Sequence, residues 1–95
     1  MNYTPEQKEA WDKAIKLLED NLIPISFKTW IQPLRLYSVS PESICIVANN
    51  TLILNHVKQR YLTDLYNMIR MCFGRGYELE FYTEDEIARQ SVNPT

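Results

Sequence analysis

The sequence predicts a small α+β domain, with elements in the order helix, helix, strand, strand, helix, strand and a three-stranded sheet packed against the helices. Three stretches carry that expectation. Trp11, Ala14, Ile15, Leu18 and Leu22 recur at helical spacing and occupy an arc of about 100° on a helical wheel, with charged residues over most of the remainder. Ile44-Cys45-Ile46-Val47-Ala48 is a short β-branched run, and Tyr77-Glu78-Leu79-Glu80-Phe81-Tyr82 alternates, with Tyr77, Leu79 and Phe81 on one face. Between the first helix and the first strand, Phe27-Lys28-Thr29-Trp30-Ile31-Gln32-Pro33-Leu34 changes one period into the other. Phe27, Trp30 and Ile31 share one side of a helical turn, and Pro33 disfavours helical geometry at Gln32. These aromatics are expected to point into the core.

Taken in order, Thr4-Pro5-Glu6-Gln7 is a helix start: Thr4 caps, Pro5 suits the first helical position and Gln7 closes a capping box. Ile23-Pro24 ends that helix, and Ser26 is the expected cap of the second. Leu34, Leu36 and Val39 suggest a first strand, Ser40-Pro41-Glu42-Ser43 a turn, and Ile44–Ala48 a second strand. Asn50 or Thr51 caps a long third helix to about Phe73, and Gly74 suits a left-handed C-terminal cap. The expected core includes Phe27, Trp30, Ile31, Leu34, Val57, Tyr61, Leu65 and Ile69. Residues 1–83 form the domain. Residues 84–95, acidic and then polar, read as a tail or the start of a linker.

Ninety-five residues make one domain. Apolar content of 45% is that of a globular chain, and the net charge of −2 argues against a dedicated nucleic-acid binder while leaving room for a local basic face. No apolar run approaches the roughly 20 residues that span a bilayer, and the polar start lacks a signal peptide's pattern, so a cytoplasmic protein with no membrane contact is expected. Cys45 and Cys72 read as reduced core residues.

Catalysis finds little to work with. His56, the one histidine, falls on the polar face of the third helix with no HxxxH or HExxH companion, and two glycines make no phosphate cradle. The expectation is no enzyme, no metal and no cofactor. Lys58, Arg60, Arg70 and Arg75 outnumber the single acid Asp64 between Thr51 and Gly76, so weak single-stranded nucleic-acid contact is the rival reading. The element order is that of a KH-like fold, but Gly74-Arg75-Gly76 is neither the GXXG of such a module nor placed between helices. Trp11 is either core, as its stripe favours, or an exposed anchor for a partner.

Read together, Trp11, Phe27, Trp30-Ile31-Gln32-Pro33-Leu34, Ala48-Asn49-Asn50, Val57 and Tyr61-Leu62 resemble the N-terminal domain of the bacterial replication initiator DnaA, over about residues 8–82. The pattern there is a tryptophan in the first helix, F-x-x-W-[IM]-x-P-L, a strand ending in A-P-N, and [WV]-x-x-x-Y-[IL]. The resemblance implies a non-catalytic KH-like assembly module. It would self-associate as a weak homodimer through the first-helix face that holds Trp11, help load the replicative helicase and receive replication-regulatory proteins. Asn49 stands where the family usually has proline. Ser26 and Leu52, on the family's helicase-contacting surface, replace an acidic residue and a phenylalanine. A freestanding copy of such a module that titrates the initiator is the remaining alternative.

Overall fold

The computed structural model describes residues 2–92. Helix α1 (Pro5–Asn21) starts with the expected reciprocal cap: the Gln7 N–H donates to the Thr4 hydroxyl (3.1 Å), and the Thr4 N–H donates to the Gln7 side-chain carbonyl (2.8 Å). It buries Trp11, Ala14 and Leu18 and shows solvent a charged face, with Lys8–Asp12 (2.7 Å) and Lys16–Glu19 (3.6 Å) pairs along it.

Helix α2 (Pro24–Ser26) runs directly into a π-helical turn, Phe27–Ile31, which the Gln32 N–H closes by donating to the Phe27 carbonyl at 2.9 Å. The cap expected of Ser26 is not made. Pro24 takes the first helical position, where its fixed φ suits it, so the helix begins earlier and Ile23 stands at its N-cap. Leu34 is buried as the chain leaves the turn.

The sheet has strand order β1-β2-β3, from β1 (Arg35–Val39), β2 (Ser43–Ala48) and β3 (Glu78–Thr83). β1 and β2 are antiparallel, with a bulge between Leu36 and Ser38; β2 and β3 are parallel. The tight connection between β1 and β2 is held by Ser40, whose N–H donates to the Ser43 carbonyl (2.8 Å) while its hydroxyl accepts from the Ser43 N–H (3.0 Å). Ile44, Ile46 and Ala48 of the central strand enter the main core.

The long third helix is two helices. α3 (Thr51–Arg60) is capped by Asn50, whose side-chain oxygen accepts from the Ile53 N–H (2.9 Å); α4 (Leu62–Phe73) ends at Gly74, whose φ of +83° is the left-handed cap. Tyr61, at φ −121° and ψ 6°, leaves helical geometry between them. Neither Gly nor Pro marks that break. α3 lies against the π turn and the sheet, burying Leu54 and Val57, whereas α4 lies against α1, burying Leu65 and Ile69. One straight helix could not follow both sets of neighbours.

The expected tail is also different. Residues 84–92 form a further helix, α5 (Glu84–Val92), with Ile87 buried, while residues 93–95 lie outside the described residues. Thr83 and Glu86 make its capping box: the Thr83 N–H donates to the Glu86 carboxylate (2.8 Å), and the Glu86 N–H donates to the Thr83 hydroxyl (3.2 Å).

Phe27, Ile31, Leu34, Val57, Leu65 and Ile69 are buried as expected, but Trp30 and Tyr61 are only half-buried. Both pack at the rim of the core because the π turn and the break at Tyr61 place them between elements.

Candidate functional site

Trp30 joins two helical segments that expose large aliphatic side chains. Its ring stacks on His56 with centroids 3.7 Å apart and planes at 21°, which ties the π turn to α3; the Tyr61 ring stands 5.8 Å from the imidazole, tilted by 54°. His56 is therefore not the free surface histidine its polar wheel position suggests. Leu52 lies one turn before His56 and Ser26 one turn before Trp30, so these positions share the sides of the two helices that meet at the stack. Leu52 is 72% exposed, and Ile23 and Ile25, around the start of α2, are each 69% exposed. A single exposed aliphatic side chain needs no explanation, but three of this size on the two helical segments that the stack joins offer surface to a partner's apolar side chains.

The remaining site candidates are scattered. Trp11 is 4% exposed and belongs to the core, so it is not the exposed anchor the first-helix face was expected to offer. Helix α1 packs against α4, the π turn and β1, and Trp11 is buried in the core that these elements share. Only the rim of the indole reaches a cleft, of about 350 Å³, shared with Tyr3, Ile15 and Leu36. Lys58, Arg60, Arg70 and Arg75 are all exposed, but the structure does not gather them. Lys58 lines a cleft with Asp85, Glu86 and Arg89, whereas Arg75 lies 4.8 Å over the Tyr77 ring beside a different cleft. The break at Tyr61 divides the first pair from the second.

Ionisable groups are perturbed in two places. Arg35 and Glu84 form an exposed bidentate pair (2.7 and 3.0 Å) that links β1 to the start of α5. The hydrogen bond to Glu84 raises the Arg35 pKa, and the hydrogen bond from Arg35 holds Glu84 below the usual carboxylate range. Burial pushes the Cys45 thiol up, against a hydrogen bond with Ser38. Cys45 and Cys72 are both free. Among the described residues no group of three or more His, Cys, Asp or Glu side chains is placed to hold a metal, and no helix is long and apolar enough to cross a membrane.

Sequence reasoning passed over Ile23 and Ile25. Their signal was legible: two large aliphatics flank Pro24 outside the stripe of the first helix, and Ile25 also falls outside the Phe27, Trp30, Ile31 face.

The chain is similar to chromosomal replication initiator proteins DnaA. It is 30% identical over 72 residues to that of Francisella tularensis subsp. novicida, covering 76% of this chain and 14% of the relative. To that of Thermoanaerobacter pseudethanolicus it is 21% identical over 81 residues, covering 85% of this chain and 18% of the relative. It thus spans less than a fifth of the length of these relatives. The family model for the DnaA N-terminal domain matches residues 8–71, which takes in the Trp30–His56 stack and the exposed Ile23, Ile25 and Leu52, and the chain belongs to the DnaA N-terminal domain family.

Proposed function

We propose that this domain is a non-catalytic interaction module of bacterial replication initiation, and that the surface of Ile23, Ile25 and Leu52 recruits the replicative helicase and replication-regulatory proteins. The observation that carries the reading is the exposure of Ile23, Ile25 and Leu52 on the segments that the Trp30–His56 stack joins, in a member of this family. Large apolar side chains kept in water on a rigid frame are the chemistry of a protein-binding patch. The departures at Ser26 and Leu52 fit the same use, because Leu52 keeps an apolar side chain where the family often has phenylalanine. Self-association belongs to the same reading, through the cleft that Trp11 lines with Tyr3 and Ile15.

The test is an amide NMR titration of the isotope-labelled chain with the replicative helicase of the same organism, with a single-stranded oligonucleotide run in parallel. Shifts confined to residues 23–30 and 51–56, and lost in Leu52→Lys, are the expected result. Silence with helicase together with salt-sensitive shifts along Lys58 to Arg70 from DNA would overturn it in favour of nucleic-acid binding.

A further inference from the structure

We propose that the free edge of β3 is a docking site for an extended peptide of a partner protein, one in which apolar residues alternate with lysine or arginine. β3 ends the sheet, and among the described residues no strand pairs with its other edge. The Glu78 N–H donates to the Glu42 carbonyl (2.9 Å), so the main-chain groups of Glu78, and by alternation those of Glu80 and Tyr82, turn toward β2. Those of Leu79 and Phe81 turn outward, and each presents one donor and one acceptor. The next outward N–H, that of Thr83, is taken by the Glu86 carboxylate, which closes the edge at that end.

The surroundings of this edge specify its occupant. On the helix side, Leu79 lines a cleft of about 620 Å³ with Leu62, Tyr66 and Tyr77, and Phe81 lines a second, of about 390 Å³, with Leu54 and Lys58. Leu79 and Phe81 are two residues apart on one face, so alternate side chains of an added strand reach the two clefts in turn. Leu62 is 41% and Tyr66 39% exposed, and the Tyr66 hydroxyl lies over Gly76, where a Cβ would approach it to 2.8 Å. The opposite face carries Glu78 and Glu80, both exposed and neither in an ion pair among the described residues. Basic side chains of an added strand would pair with them across the strands. With Glu42 beside the first cleft and Asp85 and Glu86 beside the second, these carboxylates outnumber Arg75, Lys58 and Arg89 around the edge, which favours a basic peptide over a phosphate backbone. The chain's own apolar–basic alternation, Leu34-Arg35-Leu36, is already engaged, since Arg35 holds Glu84.

The experiment selects displayed random peptides of about ten residues on the whole chain and measures a winner by fluorescence polarisation and amide NMR. Selected peptides alternate apolar and basic residues and shift the amides of Leu79 and Phe81. Affinity falls at least about tenfold in the surface variant Glu78→Lys with Glu80→Lys. N-methylation of the peptide residues that face β3 abolishes binding, and N-methylation of the intervening residues leaves it intact. Four results would overturn the proposal: winners without alternation, equal tolerance of both N-methylated peptides, edge shifts produced by oligothymidylate in place of peptide, or a concentration-dependent dimer that the double variant removes. Shifts at Leu79 and Phe81 are separate from those at Ile25 and Leu52, so this site and the helicase surface stand or fall independently.

Discussion

The two tryptophans exchange the weights their sequence contexts suggest. Trp11, buried in the core, is the side chain whose removal empties space. Trp11→Ala should destabilise the domain by about 3–5 kcal/mol, read from denaturant unfolding, and is therefore the wrong variant for probing self-association. Trp30 is half-buried and held by one stack. Trp30→Ala removes less buried area and one aromatic pair, and a smaller loss of about 2 kcal/mol is expected. Equal losses would mean that the stack shields Trp30 as fully as the core shields Trp11. Cys45 and Cys72 are separated in the same way. The buried Cys45 thiol, its pKa raised, should resist iodoacetamide in the native protein, while half-buried Cys72 reacts first; peptide mapping of the alkylated chain checks this.

Among the elements, α5 is the one most exposed to perturbation, since a cap, Ile87 and the Arg35–Glu84 pair anchor it. Thr83→Ala removes the cap and should cost about 1 kcal/mol, seen as faster hydrogen exchange in residues 84–89 with the rest of the sheet unchanged. The pH dependence follows from Glu84. Its folded-state pKa is depressed, so its contribution is present above the ordinary carboxylate value of 4.5 and is lost as pH falls below that value and through the depressed one. The pair is solvent-exposed, so its contribution is at most about 1 kcal/mol. Acid titration should loosen α5 while α1 and β2 persist, and Glu84→Gln should reduce the acid-induced loss of protection in that helix. The capping signature Thr83-Glu84-Asp85-Glu86, followed by Ile87, was readable in the sequence as a helix start; the acidic and polar composition around it suggested a tail instead.

Across the whole molecule, one core joins α1, the π turn, the three strands, α3 and α4, so these elements should unfold as a unit. Tryptophan fluorescence, which reports on α1 and the π turn, and far-ultraviolet circular dichroism should give coincident transitions; separated midpoints would show that the Trp30–His56 region melts on its own. The sequence by itself determined the α+β class, the capped start of α1, the strands, the Asn50 and Gly74 caps and the family. Each of these rests on local chemistry, on periodicity or on a motif carried within one stretch. Packing in three dimensions settles that Trp11 is fully covered and Trp30 only half, that the helix breaks at Tyr61, that His56 stacks, and that Lys58 and Arg75 stand apart. The physical reason is common to all four. A wheel shows that a face is apolar, but burial and direction depend on which neighbour covers the face, and here α4 covers α1 while α3 turns aside to the sheet.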